Sequence, residues 1–289
     1  MKEIKVIGID LAKNIFQIHG VDSLGKVVIR KTVPRSKLSE TIENLSPCLI
    51  GMEACSGASY WARKFTKMGH TVKLMSPQFV KPYVKTNKND RNDAEAICEA
   101  VSRPNMRFVP IKQIPMQDIQ NIHRVRQRLI KSKTALVNEI RGLLNEYGIT
   151  IPQKIQNVAK FLPEIIEDAS NELSDMGRSV FTHLYEELKN ITERTELYES
   201  KIKKIAEENE TCKRIQKIEG VGIITATAIV AGIGDPNNFE NGRQVSAWLG
   251  LVPRQNSSGG KSQLLGISKR GDSYLRCLLI HGARAVMRH

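Results

Sequence analysis

The hydrophobic pattern changes its period twice along the chain, and these changes limit the folds that it can adopt. Up to about residue 112, short apolar runs alternate with turn sequences, a pattern typical of strands and short helices. From Ile114 to Tyr147, apolar residues recur at helical spacing among many basic residues, which predicts a long amphipathic helix. A second long helix is predicted over residues 171–208, where Glu and Lys alternate. The last third changes again, to short helical patterns joined by glycine-rich turns.

The first part of the chain has the pattern of a strand meander followed by alternating strands and helices. The pattern predicts strands over residues 4–10, 14–21 and 26–33, a helix near 36–46, a strand over 48–53, a helix over 58–68 and a strand over 71–75. A further helix, opened by Asp90 and Asp93, is predicted to end near Arg103, because Pro104 cannot continue it. This order of elements is that of an RNase H-like domain, an α/β fold.

Four carboxylates stand at positions where a two-metal nuclease needs them. Asp10 and Glu53 each end an apolar run, at a predicted strand end, and Asp90 and Asp93 are spaced to share one face of a helix start. Carboxylate oxygens are the ligands that Mg²⁺ prefers, and two metals about 4 Å apart can clamp both oxygens of a phosphodiester under attack. Each acid alone also fits a strand end or a helix N-cap. Their joint placement favours the metal site. Glu95 and Glu99 are expected to lie on a solvated helix face, with a fifth acid of the site as the alternative for Glu95.

The charge of the chain points to a polyanionic partner. The 289 residues include 44 Lys and Arg and carry a formal charge of +14, with a pI near 9.6. Nucleic acid is the most economical partner, while an acidic membrane surface is disfavoured because no apolar run is long enough to span a bilayer. Met1 leads directly into a strand pattern, so a cytoplasmic protein is expected. The five cysteines lack a C-x-x-C pair and are expected to be reduced and buried, and the six histidines lack zinc-ligand spacing.

A glycine turn in the last third predicts a phosphate-binding motif. The segment from Ile218 to Ile229 contains Gly220 and Gly222 between two helical patterns, in the manner of a helix-hairpin-helix motif. Glycine lets a phosphate approach the backbone N–H groups at the start of the second helix. The alternative is a helix-packing turn that binds no ligand.

A serine-glycine segment follows, and composition alone favours a flexible linker there. Ser257-Ser258-Gly259-Gly260 is expected to be an exposed loop whose hydroxyl groups could act as nucleophiles if a base or metal activates them. Four cations around this segment could hold phosphate groups: Arg254, Lys261, Lys269 and Arg270.

With both features in hand, the chain resembles the DEDD transposases of the IS110 insertion-sequence family, in particular the IS1111 branch. The resemblance covers essentially the whole chain. It lies in Gly-Ile-Asp at Asp10, Met-Glu-Ala at Glu53, Asp-Arg-Asn-Asp-Ala at residues 90–94, Glu-Gly-Val-Gly at 219–222, and Ala-Trp-Leu-Gly-Leu-Val-Pro-Arg at 247–254 leading to Ser258 and Gly259.

The resemblance implies a domain plan and a mechanism. It implies a RuvC-like catalytic domain (residues 1–112), a helical coiled-coil arm (113–210), and a mostly helical C-terminal transposase domain carrying the serine (211–289). The catalytic serine maps to Ser258, with Ser257 as the alternative. Family members are similar in using a noncoding bridge RNA to choose donor and target DNA, and in acting as homodimers and tetramers. Family members commonly continue beyond the helix that ends here at Arg288 and His289, so this chain is expected to be shortened relative to them.

Together with the carboxylates and the charge, the resemblance therefore implies an RNA-guided DNA transposase that uses Mg²⁺ and a serine nucleophile. Two other functions stay open from the residues alone. One is a Holliday-junction-type endonuclease using metal-activated water, and the other is a non-catalytic nucleic-acid-binding protein. The two long helices are likewise open to two interpretations, a coiled-coil arm or a helical hairpin packed within its own domain.

Overall fold

The computed structural model describes residues 3–85, 90–259 and 261–288, and the side chains of Asp90, Arg91 and Ser258 lie outside that description. The chain divides into two compact units, residues 1–114 and residues 115–289, which are described separately below. The predicted division of the second unit into an arm and a C-terminal domain at residue 210 stays a prediction.

The first unit is built on one mixed sheet. Its elements in chain order are β1 (Val6–Leu11), β2 (Ile15–Val21), β3 (Val27–Pro34), α1 (Arg35–Glu43), β4 (Leu49–Glu53), α2 (Ala58–Lys67), β5 (Thr71–Met75), α3 (Pro77–Val80), a 3₁₀ turn (Lys81–Tyr83), α4 (Asp90–Val101) and β6 (Phe108–Val109). The strand order is β3-β2-β1-β4-β5-β6. The first three strands form an antiparallel meander, β1, β4 and β5 run parallel, and β6 is antiparallel to β5. This mixed α/β sheet is consistent with the predicted RNase H-like domain.

Apolar side chains of the central strands form the core of the first unit. Ile7 and Ile9 on β1 and Ile50 and Met52 on β4 are fully buried. A central strand covered on both faces reads as a nearly continuous apolar run, as both of these do. The two carboxylates that follow these runs stand where the strands end and the core stops.

The second unit is mainly helical. Its elements are α5 (Ile114–Asn145), α6 (Ile155–Glu167), α7 (Asp175–Glu208), α8 (Glu210–Ile215), α9 (Ile223–Ile233), a 3₁₀ turn (Pro236–Asn238), α10 (Gly242–Leu249), β7 (Pro253–Ser258), β8 (Lys261–Ile267) and α11 (Ser273–Val286). Polar caps fix several helix starts. The Ser174 side chain accepts a hydrogen bond from Gly177 N at the start of α7, and Asp272 accepts from Tyr274 N at the start of α11.

The two long helices share a core with α6, a helix that the sequence pattern did not predict. Leu136 and Ile140 of α5, Val158 and Leu162 of α6, and Leu188 of α7 belong to one buried apolar cluster. The apolar faces of α5 and α7 are thus buried, at least in part, within the unit. A coiled-coil arm between subunits stays a prediction.

The serine-glycine segment is an antiparallel ribbon, so the predicted flexible loop is wrong. Ser257 pairs with Ser262, and Ser258 pairs with Lys261. Backbone hydrogen bonds hold the base of the ribbon, from Ser268 N to the Val252 carbonyl oxygen (2.8 Å) and from Lys269 N to that of Gly250 (3.0 Å). Paired backbone groups on two strands therefore give this segment a defined conformation despite its composition.

The structure corrects one prediction about burial. All five cysteines are free, but Cys55 and Cys277 are exposed, so the expectation that the cysteines are buried is wrong for these two. None of the described helices is both long and apolar enough to cross a membrane.

Candidate active site

Asp10 and Glu53 stand side by side at the carboxyl ends of neighbouring parallel strands. β1 and β4 pair in register, with Gly8 opposite Gly51 and Ile9 opposite Met52. Asp10 and Glu53 are the next residue on each strand, and both are partly exposed. Since the carboxyl ends of parallel strands open on the same edge of a sheet, the structure brings these two predicted site residues together.

Both carboxylates lie close enough to the Cys55 thiol to affect its pKa. Cys55 lies in the loop that follows β4, and partial desolvation raises the pKa of its thiol. The charges of Glu53 and Asp10 raise this pKa further, because a second negative charge is unfavourable beside them. The edge of the sheet at this loop therefore carries negative potential, as expected of a site that binds cations.

Helix α4 lies directly on β1 and β4 because glycine stands at the contact on each strand. A Cβ on Gly8 would overlap the Ala94 carbonyl oxygen and would lie 2.8 Å from Cys98 Cα. A Cβ on Gly51 would lie 2.7 Å from Val101 Cβ. Any larger residue at Gly8 would meet helix backbone, which cannot rotate away.

Helix α4 runs broadly antiparallel to β1. The Cys98 thiol donates to the Val6 carbonyl oxygen (3.7 Å), and Ala94 lies against Gly8. Since higher residue numbers on the helix meet lower ones on the strand, the start of α4 lies toward the carboxyl end of β1. All four predicted carboxylates are thus on elements that meet at one end of the sheet.

The carboxylates are not gathered into a coordination sphere in the described part of the chain. Asp93 is half-buried, and the Asp90 side chain lies outside the description. Among the described side chains, no group of three or more His, Cys, Asp or Glu residues is placed to hold a metal ion. The chemistry of the donor set, carboxylates alone, suits Mg²⁺ rather than zinc.

Glu95 lies on the surface of α4, as expected, and the alternative of a fifth acid in the site is not supported. Its carboxylate accepts from Arg30 (2.7 Å) and Lys85 (3.3 Å). Lys85 also pairs with Glu99 (3.2 Å). Glu95 and Glu99 therefore belong to a network of surface ion pairs.

Sequence reasoning missed Gly8 and Gly51, which position the site without touching a substrate. The signal was present as a repeated pattern, Gly-Ile-Asp in β1 and Gly-Met-Glu in β4. A glycine inside a buried strand marks a close approach of another backbone. Here, each approach holds α4 beside a carboxylate two residues further along.

The ribbon presents Ser257 and Ser258 near its turn. The exposed Ser257 hydroxyl accepts a hydrogen bond from Gln255 Nε2 (2.7 Å), which also donates to Ser262 Oγ (3.0 Å). The backbone of Ser258 is placed as the last residue of β7, with its side chain outside the description. The four predicted phosphate-binding cations are all exposed, on the ribbon or at its base: Arg254, Lys261, Lys269 and Arg270.

The glycine turn before α9 has two different kinds of glycine. Gly220 has a φ of +78°, and a Cβ there would lie 2.6 Å from the Gly282 carbonyl oxygen of α11. Packing against α11 therefore accounts for this glycine. Gly222 precedes the first residue of α9, and a Cβ there would meet nothing within 4 Å. The open approach to the start of α9 is thus at Gly222.

Comparisons with known proteins agree along the chain. A model of DEDD transposases of the IS110 type matches residues 7–149, and a model described as the transposase IS116/IS110/IS902 family matches residues 212–289. The chain is 50% identical over its full length to the transposase for insertion sequence element IS1111A of Coxiella burnetii, covering 79% of that protein. It is 48% identical over 98% of its length to a probable family 20 transposase of Pseudomonas aeruginosa, covering 84% of that relative. It is 42% identical to the transposase for IS1328 of Yersinia enterocolitica, with 99% of the chain and 85% of the relative covered.

Proposed function

Because this chain belongs to the IS116/IS110/IS902 family and is a DNA transposase, we propose that it is an RNA-guided recombinase that cuts and rejoins DNA through a serine. One observation carries the proposal. Asp10 and Glu53 lie at the carboxyl ends of neighbouring parallel strands, and α4, which carries Asp93, packs on the same two strands. This arrangement supports a carboxylate site at that edge of the sheet, where a phosphodiester backbone can approach.

Asp10, Glu53, Asp90 and Asp93 would hold Mg²⁺. When bound, Mg²⁺ supplies positive charge to the scissile phosphate and stabilises the charge that develops on its oxygens. Without a counter-cation, several carboxylates at one edge would repel the DNA backbone. The DNA backbone would therefore approach this edge only when a cation is bound to the carboxylates.

The Ser258 hydroxyl would attack the scissile phosphorus. As the Ser258 Oγ–phosphorus bond forms, the bond from phosphorus to one sugar oxygen breaks. The serine proton is released, and the departing sugar oxygen takes up a proton. One phosphoester replaces another, so a sugar hydroxyl of a new strand can reverse the exchange without ATP. Attack by water would instead leave a free phosphate end and lose that bond.

The basic surface would hold the nucleic acids. The formal charge of +14 favours both donor and target DNA and a guide RNA. Gly222 at the start of α9, together with Arg254, Lys261, Lys269 and Arg270, would contact phosphates in the manner of a helix-hairpin-helix and a basic ribbon. The carboxylates belong to the first unit and Ser258 to the second. A homodimer or a tetramer would combine them between subunits, with the helical arm of residues 113–210 as the dimerising element.

The test is a suicide DNA substrate, nicked so that the cleaved strand cannot rejoin, incubated with the full chain, Mg²⁺ and the RNA that copurifies with it. The parent protein is expected to form a covalent protein–DNA adduct that peptide mapping assigns to Ser258. Asp10→Asn and Glu53→Gln should abolish the adduct and keep DNA binding.

The controls separate the parts of the proposal. Ser257→Ala should form the adduct as the parent does, and an adduct on Ser257 would move the nucleophile by one residue. Cleaved DNA with free ends and no adduct would assign the reaction to metal-activated water. If the purified protein is active and carries no discrete RNA, the proposed RNA guide is wrong.

A further inference from the structure

A groove of about 600 Å³ lies on the first unit, between the start of α2 and the junction of β3 with α1. The side chains that define it are Asn14, Arg35, Ser36, Tyr60, Trp61 and Lys64. We refer to it as the Tyr60 groove. Its wall combines an aromatic stack with two cations, and the predicted carboxylate site uses none of these residues.

The aromatic wall is a packed platform with one open ring. Trp61 is buried, stacked on Phe65 at 5.5 Å between ring centroids and edge-on to Phe16 at 5.5 Å. Tyr60 packs edge-on against Trp61 at 5.1 Å and is 48% exposed. A half-exposed aromatic ring held by a rigid neighbour offers a face on which a planar ligand can stack at little entropic cost.

The cations of the groove are held by the rings and not by acids. Arg35 Cζ lies 5.4 Å from the centroid of the Trp61 ring, and Lys64 Nζ lies 5.7 Å from it. Neither is ion-paired with a carboxylate among the described residues. Two uncompensated positive charges beside an aromatic face suit a ligand that carries both a ring and an anionic group.

The groove lies at the same end of the sheet as the carboxylates. Asn14 follows β1 shortly after Asp10, and its carbonyl oxygen accepts from Arg35 N (2.8 Å). Tyr60 stands in the first turn of α2, which follows Glu53 through a short loop. A DNA strand bound at the carboxylates would therefore lie at the same end of the sheet as this groove.

We propose that the Tyr60 groove binds an unpaired nucleotide of the DNA strand next to the scissile phosphate. The base packs on Tyr60, and its phosphate contacts Arg35 and Lys64. Stacking needs an unpaired base, whereas a paired base in a duplex keeps its faces covered. The inference rests on the proposed function, because it is the cleavage site at the carboxylates that places a strand there.

The experiment uses the full chain with Trp248→Phe, which leaves Trp61 as the single tryptophan. The protein is titrated in EDTA with a single-stranded DNA of about 10 nucleotides and with the matching duplex. The single strand should quench Trp61 emission. Tyr60→Ala should weaken single-strand binding by about fivefold or more and duplex binding by less than about twofold. Tyr60→Phe should keep the parent affinity.

The first unit offers a matched control at the far edge of its sheet. Phe108 on β6 is 38% exposed and lies under Lys73 Nζ at 5.2 Å, so it repeats the ring and cation without the groove. Phe108→Ala should leave single-strand binding unchanged. Equal losses for Phe108→Ala and Tyr60→Ala, or an unchanged affinity for Tyr60→Ala, would overturn the proposal. Tighter binding of the matching oligoribonucleotide would overturn the assignment to DNA.

Binding in EDTA separates this inference from the proposed function. If Asp10→Asn stops cleavage while Tyr60→Ala binds single strands as the parent does, the groove is wrong and the carboxylate site stands. If Asp10→Asn still cleaves, the carboxylate site is wrong, and the position of the groove beside it loses its basis.

Discussion

The Ala94 carbonyl oxygen of α4 occupies the space that a Cβ on Gly8 of β1 would need. Glycine at this position lets the helix carrying Asp90 and Asp93 lie directly on the strand carrying Asp10. The distance between helix and strand thus depends on the absence of one side chain.

Gly8→Ala is therefore expected to inactivate the protein without removing a carboxylate. The added methyl group forces α4 away from β1, and overpacking of this kind costs about 1 to 3 kcal/mol of folding free energy. Cleavage of a DNA substrate should fall at least tenfold, and thermal unfolding should shift by several degrees. Gly142→Ala is the control, because a Cβ at Gly142 in α5 meets nothing within 4 Å. Full activity in Gly8→Ala would show that the position of α4 is not critical.

Ser258→Ala should lose recombination and leave folding intact. One hydroxyl group near an exposed turn contributes within about 0.5 kcal/mol to stability, whereas in the proposed mechanism it provides the whole covalent step. Ser257→Ala loses only the hydrogen bond from Gln255 and should recombine within about twofold of the parent. Recombination between two plasmids and urea unfolding measure the two effects. Comparable losses in both variants would indicate that the ribbon acts through its shape.

Acid should destabilise the second unit through His123. This side chain is buried, with Nδ1 3.1 Å from Tyr274 Oη and Nε2 3.0 Å from Thr227 Oγ1. Burial, and to a lesser degree the charge of Arg126, lowers the pKa of His123 to about 4.

The unfolded chain takes up this proton near pH 6.5, and the folded chain takes it up only near pH 4. The contribution of neutral His123 to the free energy of unfolding is thus fully present above pH 6.5. It is lost between these two pH values by about 1 kcal/mol per pH unit. Urea unfolding at pH 7.5 and pH 5.0 should show this loss, and His123→Gln should reduce it. An equal loss in both proteins would place the acid sensitivity elsewhere, for example at His19 or His70, whose pKa values burial also lowers.

Binding to duplex DNA should weaken steeply with salt. Each phosphate neutralised by a cation releases counterions and contributes a slope of about −0.9 to log affinity against log salt concentration. Replacing Lys261 and Lys269 by Gln should make this slope shallower by about 2 if both contact phosphates. Lys203 and Lys204 on α7, which lie near Glu207 and Glu208, provide the matched double variant. An affinity independent of salt would argue against phosphate contacts as the main source of binding.

The elements of the first unit could be predicted from the sequence because their periodicity and their turns agree. Strand runs that end in Asp10 and Glu53 lie within a few residues of the predicted bounds. The pairing of β1 with β4 could not be predicted in register, because register depends on which residues meet across the sheet. The role of Gly8 appears only when α4 is packed on it, since nothing in a single strand identifies the helix that covers it.

The second unit was harder to predict because its local signals conflict with its packing. Serine and glycine have low strand propensity, yet the Ser257–Ser262 pairing holds a ribbon. In the sequence, Gly220 fits either a phosphate contact or a helix-packing position. Its contact with Gly282, 62 residues away, cannot be predicted from the local sequence pattern. Likewise, α6 lies between two stronger helical patterns and shares their core.

The β7–β8 ribbon joins its unit at a narrow base of close backbone contacts, to which Arg276 of α11 adds hydrogen bonds to the Leu249 (2.9 Å) and Arg270 (3.2 Å) carbonyl oxygens. Gly250 has a φ of +74° and meets the Arg270 backbone, and Gly271 has a φ of +86° and meets the Trp248 carbonyl oxygen. Beyond that base the described side chains up to Gly266 are exposed. An insertion or deletion of one residue pair near the turn would change the reach of the ribbon and leave α10 and α11 in place. A nucleophile at Ser258 would thus be carried on a part whose length can change while the two glycines at its base keep their contacts.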